Sequence, residues 1–418
     1  MKEQLLAGAG KAKIDFQPDD FPLKAFDGEH DPLHVRTVIL QESERIALIS
    51  LELTSLPQGA VMRLKRYVGQ LTGIKEDNIL ISVTHTFSAP HIPPQIRNEE
   101  EQRLHDILYL RIEDAVRSAI SQALENTEAV TAEQKEVSCG INVNRNILTH
   151  RGYWLGRNED GYSDKTVRIV SLNAGNKVKA VLFNYDIQPS VMDKVKTRDG
   201  KQLLSSDLAG AAAAKLEEYI GNGAAAVFLP GCAGDQAPVL KGRQMDIDGR
   251  ETDIHEDGYL LVRQLGDYLA ERIKQALKDS GYKEGERDFV KTGLSIRRYP
   301  LKLPKQNMKY PTKELTPHRE YRFEPAEGAI DICIIIVSVG EIDLLLSQPE
   351  LNSGFGSRIR KQCGKNIVIG SLVDGGVKYL PEETDFEHIT YAAMNTEIGR
   401  GADRRFLEKV KEIWERRR

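Results

Sequence analysis

No two of the four cysteines, Cys139, Cys232, Cys333 and Cys363, are spaced as CxxC. That pattern gives no basis for a disulfide framework or a cysteine-held zinc. Cys139 and Cys333 lie in strand-like stretches and read as small buried apolar residues. Charge of one sign is also scarce. A formal net charge of −4 over 418 residues gives no basic surface for nucleic acid. Long apolar runs are missing as well. The longest, Ile332 to Val339, is far too short to span a bilayer. The segment Met1 to Gly8 has no extended apolar stretch, so no signal peptide and a cytoplasmic location are expected. No internal repeat, low-complexity tract or glycine-rich phosphate loop is visible.

What is present is a strand that breaks abruptly into polar residues. Ile79 to Val83 is apolar, and Thr84, His85, Thr86, Ser88, Pro90 and His91 follow within a few positions. Open α/β sheets place ligands at such strand ends. Ala224 to Pro230 repeats the pattern and opens into Gly231 to Pro238, and a third polar turn carries Glu350. These loops are expected to meet at one pocket.

Hairpins are expected from Val35–Leu40 with Arg45–Leu53, from Thr166–Leu172 with Val178–Tyr185, and from Ala329–Val339 with Ile342–Leu346. Apolar spacing predicts helices over Gln58–Leu71, Arg103–Asn126, Leu208–Ile220 and Gly258–Leu277, and from Arg404 onward. Val130 to Ile141 reads as a strand, and His150 to Gly161 as a polar loop. Together these elements predict an α/β (α+β-like) fold, with a large mixed, twisted sheet rich in hairpins and covered by helices. A single catalytic domain over 1–418 is expected, with an insertion or edge region at about 281–329.

Taken together and in order, the motifs resemble the neutral/alkaline (non-lysosomal) ceramidase N-terminal domain family. The matching pieces are His30 to Leu33, Asn78 to Pro90, Asn144-Arg145, Gln188 to Ser190, Ser206-Asp207, Gly234-Asp235 with Pro238, Glu350, and Gly375 to Pro381. They span most of the chain, which resembles a short member without the C-terminal β-sandwich. The resemblance implies a zinc-dependent amidohydrolase whose metal is held by two histidines, a glutamate and a tyrosine. It also implies a catalytic serine and a pocket for a lipid amide.

Carried over residue by residue, the resemblance puts the first metal histidine at His85 and the glutamate at Glu350. Asn144, Arg145 and Asp235 are kept. Gln188 stands at the second metal histidine, Phe87 at the second histidine of Thr-His-Thr-His, and Ala237 at the serine. The metal tyrosine falls near Gly376, with Tyr379 close by. The expected metal ligands are therefore His85, His91 and Glu350, with His91 supplying a substitute nitrogen and Asp235 or Glu52 a further oxygen. Asp235 and Arg145 are the expected catalytic groups, and Asn144, Gln188 and Tyr379 the substrate-binding ones. Without the serine, attack by metal-bound water is the natural hydrolytic route.

Plainer roles stand beside these. His85 can be a hydrogen-bonded structural histidine, His91 a turn residue, Asp235 a cap and Glu350 a first-turn carboxylate. Arg145 can hold an oxyanion or pair with a carboxylate. His30 and His34 flank a proline turn and read as structural. The expected activity is metal-dependent hydrolysis of an amide or ester, on a small lipid-like substrate other than ceramide. The alternative is a non-catalytic homologue that binds a small ligand or a protein partner.

Overall fold

Three hairpins, each followed by a helix and a parallel strand, build the frame. The computed structural model describes residues 4–245, 250–278, 293–364 and 367–417. In the first unit His34–Gln41 pairs antiparallel with Arg45–Leu51, the helix Gln58–Thr72 crosses over, and Ile79–Val83 returns parallel to Arg45–Leu51. In the second, Thr166–Ala174 pairs with Lys177–Tyr185, the helix Asp207–Ile220 crosses over, and Ala225–Pro230 returns parallel. In the third, Glu324–Val339 pairs with Ile342–Ser347, the helix Ser353–Cys363 crosses over, and Ile367–Gly370 returns parallel. A parallel return needs such a crossover, and a tight turn suffices for the antiparallel pair.

Each unit belongs to its own sheet. Leu6–Lys13 and Glu128–Ala129 extend the first, Thr131–Ser138 the second and Leu294–Asn307 the third. The α/β class with mixed sheets is as expected, but the single large sheet is replaced by several. Apolar alternation fixes which face of a strand is buried, and it carries no label for the partner strand.

The strands are apolar on both faces because both are covered. Inner-face residues of all three sheets, among them Val38, Leu48, Leu80, Val170, Leu182, Val337 and Leu344, pack into one central core. Burial of each such aliphatic side chain contributes roughly 1.5–3 kcal/mol. The outer faces carry helices: Gln58–Thr72 and Glu99–Glu125 on the first sheet, Asp207–Ile220 and Gly258–Lys278 on the second, Ser353–Cys363 and Ala402–Glu415 on the third. Helix Glu99–Glu125 lies so close to Leu6–Lys13 that a Cβ on Gly10 would fall 2.0 Å from the carbonyl oxygen of Ala119.

Two stretches differ from expectation. The long helix begins four residues before Arg103, because Asn98 accepts from the Glu101 amide at 2.8 Å and three glutamates favour its N-terminal turn. The polar stretch around His150 to Gly161 contains a strand, Gly152–Asn158, that pairs with Asn142–Thr149. Of the segment 281–329, residues 281–292 lie outside the described residues. Leu294–Asn307 pairs along Glu324–Val339 within the third sheet. Among the described residues no helix is long and apolar enough to cross a membrane.

Candidate active site

The three units deliver their chemistry at the same relative place, just beyond the C-terminal ends of their strands. His85 follows Ile79–Val83, Gln188 follows Lys177–Tyr185, Asp235 follows Ala225–Pro230 and Glu350 follows Ile342–Ser347. Arg145 joins them from the strand Asn142–Thr149.

His85 adopts a left-handed backbone, φ 65°, which few side chains tolerate. Its amide donates to the Leu53 carbonyl at 3.0 Å, and its Nδ1 lies against the Thr54 carbonyl oxygen. Because a carbonyl only accepts, the Nδ1 carries a proton, which in the neutral ring leaves the lone pair on Nε2. That Nε2 is buried without a hydrogen-bond partner and stands 3.6 Å from Glu350 Oε2.

Glu350 is buried and tied through its backbone to both sides of Tyr379, by its amide to Lys378 and by its carbonyl to Leu380. Its Oε1 accepts from Gln188 Nε2 at 2.8 Å, and Gln188 Oε1 accepts from Arg145 Nη1 at 2.7 Å. These two bonds fix the carboxamide's orientation. Arg145 also donates from Nη2 to the Gly234 carbonyl at 2.6 Å, while its Nε–H is buried without a partner. Its guanidinium lies 5.5 Å from the Tyr379 ring centroid and 5.7 Å from that of Tyr391. Burial disfavours the Arg145 charge, and the Tyr379 phenol and Glu350 more than restore it. Burial raises the Tyr379 pKa, with Arg145 opposing and Glu350 adding, so the phenol stays protonated.

His85, Glu350, Gln188, Arg145 and Tyr379 are therefore brought together. Asn144 and Asp235 form the layer behind. The carboxyl of Asp235 accepts from Asn144 Nδ2 at 2.9 Å, from the Ser353 amide at 2.9 Å and from Gln236 Nε2 at 3.0 Å. Its backbone carbonyl accepts from the Arg145 amide at 2.8 Å. Its carboxyl is thus turned to Asn144, Ser353 and Gln236, and its backbone positions Arg145. Burial, with Asp385 and Glu382 adding and the donors from Ser353 and Gln236 opposing, pushes its pKa up to about 7. His91 is exposed at the rim, its Nδ1 3.2 Å from the Ser55 hydroxyl.

Glu52 is held elsewhere. It receives Arg36 and the backbone and imidazole of His34, and Arg36 also reaches Glu217. His30 and His34 line a separate cavity of about 310 Å³, where His30 stacks on Tyr259 at 3.4 Å.

A catalytic zinc takes three side chains of the His, Asp, Glu or Cys type and leaves a fourth position open. Two are present, His85 with its Nε2 free and Glu350. The third place is filled by Gln188, whose oxygen is already engaged by Arg145. Among the described residues no three of His, Cys, Asp and Glu gather around a common point. This donor set does not fit the zinc that the sequence resemblance implies.

Sequence reasoning missed Lys241, Asp193 and Tyr391. Lys241 Nζ lies 4.0 Å from Asp193 Oδ2, and Tyr391 packs at 6.1 Å from Tyr379. None belongs to a motif. The one available signal was position, since Asp193 follows Gln188 and Lys241 follows Pro238 by a few residues.

No protein-family model matches the chain, and no curated protein matches it. Among solved structures it is similar to neutral ceramidase from Pseudomonas aeruginosa, with TM-score 0.74 and 14% identity over 100% of this chain and 75% of that one. It is also similar to a ceramidase complexed with C2, with TM-score 0.73 and 14% identity over 99% of this chain and 76% of the other. At this identity the likeness is one of fold, and the fold is ceramidase-like.

Proposed function

We propose that this pocket hydrolyses an amide or ester bond of a small acyl substrate other than ceramide, with His85 as the general base. One observation carries the reading. Two buried polar atoms in a single linked constellation lack partners, the acceptor His85 Nε2 and the donor Arg145 Nε–H. Buried polar groups are nearly always satisfied, so an orphaned acceptor and donor invite a reacting water and a carbonyl oxygen.

In this mechanism His85 Nε2 takes a proton from water as its oxygen bonds to the carbonyl carbon. The electron pair of the carbonyl moves onto its oxygen, and Arg145 with the Tyr379 hydroxyl stabilises that oxyanion. Glu350, 3.6 Å from the imidazole, stabilises the imidazolium. On collapse the carbon–nitrogen or carbon–oxygen bond breaks, and His85 returns its proton to the leaving group. The route needs no side-chain nucleophile, which accords with Ala237 at the serine position. No step is routed through zinc.

The test is turnover of a panel of N-acyl amides and acyl esters by the purified protein and by His85→Asn, which tolerates the same backbone. Loss of a general base predicts a fall of roughly 10²–10⁴-fold in kcat. No turnover, or turnover that survives in His85→Asn, sinks the reading. A second reading, a binding homologue without catalysis, is favoured by Ala237 and Gln188. It predicts saturable ligand binding with no product.

A further inference from the structure

The backbone of His85, at φ 65°, is of a kind kept only where the surroundings over-determine it. The chain leaving the strand Arg45–Leu51 supplies the first hold. Thr84 donates its amide to the Leu51 carbonyl at 2.9 Å, and His85 its amide to the Leu53 carbonyl at 3.0 Å. The next carbonyl along, that of Thr54, takes the ring through Nδ1. The Thr54 side chain then reaches the backbone beyond the histidine. Its hydroxyl lies 2.7 Å from the Thr86 carbonyl oxygen and 3.1 Å from that of Ala89. A hydroxyl has one proton, so the two oxygens share it. Thr54, Thr86 and Ala89 are all buried, which keeps bulk water from competing for these bonds.

The same loop is held from its other side. The Thr86 hydroxyl donates to the Ser205 carbonyl at 2.9 Å, and the Ser205 amide donates to the Ser88 carbonyl at 2.9 Å. Those bonds tie the loop to the turn before the helix Asp207–Ile220, and neither touches the imidazole. Phe87 packs its ring edgewise against that of His85, centroids 4.7 Å apart, and offers it no hydrogen bond. Thr54 grips both the ring and the backbone that follows it.

Two acceptors flank the imidazole, and in its neutral form it has one proton to give. The Thr54 carbonyl oxygen is within hydrogen-bond reach of Nδ1, while Glu350 Oε2 stands 3.6 Å from Nε2, beyond that reach. A carboxylate is the stronger acceptor of the two. A small shift of the ring toward Glu350 would therefore draw the proton to Nε2 and remove the lone pair that a general base needs. We propose that Thr54 is the positioning residue that prevents this. Its carbonyl keeps the proton on Nδ1, and its hydroxyl staples residues 86 and 89, so the ring does not slide onto the carboxylate. The hydrolytic reading gives this role its consequence for rate, whereas the place of the proton rests on the hydrogen bonds alone.

The experiment is long-range proton–nitrogen NMR of the full chain, with histidine labelled at its ring nitrogens. The His85 signals are assigned by their loss in His85→Asn and read on the alkaline side of the ring's own titration. Wild type and Thr54→Ser should carry the proton on Nδ1. Thr54→Val keeps the carbonyl and loses the hydroxyl. Its ratio of Nε2–H to Nδ1–H should rise about fivefold, the worth of one hydrogen bond. Its kcat on an amide or ester that the wild type cleaves should fall by up to that factor with KM little changed. A wild-type ring protonated on Nε2 overturns the inference, whether or not the variants fold. So does a Thr54→Val tautomer that matches wild type, or a Thr54→Ser protein that behaves as Thr54→Val. The stated tautomer shift in a protein that cleaves nothing supports the role of Thr54 and sinks the hydrolytic reading.

Discussion

The Nε2 of His85 faces the Oε2 of Glu350 across 3.6 Å, with no donor between them. The ring is held from behind by the Thr54 carbonyl, so in the neutral ring both facing atoms present lone pairs. Two acceptors at this separation repel until a proton arrives, and once it does they attract. The carboxylate is thereby positioned to favour the protonated imidazole that a general base becomes.

Glu350→Gln tests that relationship. A glutamine keeps an oxygen for Gln188 Nε2 and removes the charge. We expect kcat to fall by about 10–100-fold with KM little changed, since a charged contact of about 1.5–3 kcal/mol is lost only as charge develops. Steady-state kinetics on whichever amide or ester the wild type cleaves is the measurement. An unchanged kcat would remove Glu350 from the chemistry.

Gln188→His tests the account of the missing metal ligand. The substitution places an imidazole next to His85 and Glu350 and completes a three-donor set. Calorimetric titration with zinc should show at least tenfold tighter binding than in the wild type. Equally tight stoichiometric binding by the wild type would show that the donor count given above is wrong.

Asp235 imposes a pH dependence on stability. Its folded pKa is pushed up to about 7, against about 3.9 for an unperturbed aspartate. Between these values the folded chain holds a proton that the unfolded chain has lost. Stability therefore falls as pH rises from about 4 to 7 and levels off above. Asp207 and Glu382, raised to about 6 and about 7 mainly by burial, act in the same direction. Asp235→Asn should flatten this slope without abolishing it, as read from urea midpoints at pH 5 and pH 8. Parallel curves for the two proteins would contradict the assignment.

Gly10→Ala should destabilise the fold. The new Cβ would lie 2.0 Å from the Ala119 oxygen, so the long helix must shift off the strand. Overpacking of this kind costs about 1–3 kcal/mol. That outweighs the gain of about 0.4–1 kcal/mol from a stiffer unfolded chain. An unchanged or raised melting temperature would show that the helix yields easily.

The sequence was legible where one local pattern decided the outcome. The helix Gly258–Lys278 and the three hairpins follow from apolar spacing and turn residues alone. The strand Gly152–Asn158 did not stand out, because it is half-buried, is interrupted by Gly156 and shows no alternation of buried and exposed positions. The division into three sheets depends on pairings such as that of Leu182 with Val227, which local alternation does not record. At the site, strands that break into polar loops pointed to His85, Gln188 and Glu350. The direction of a side chain was not readable: Asp235 turns toward Ser353 and Asn144. Lys241 and Asp193 look like ordinary surface charges until the hydrogen bond from the Gly242 amide to the Val191 carbonyl joins their loops.

His85, Arg145, Gln188 and Glu350 are drawn from remote parts of the chain, and each of the three units supplies at least one of them. Limited digestion between any two units should silence the pocket even if each piece keeps its helices. On dilution from denaturant, regain of activity should wait for the last of the three layers to dock, however early circular dichroism recovers.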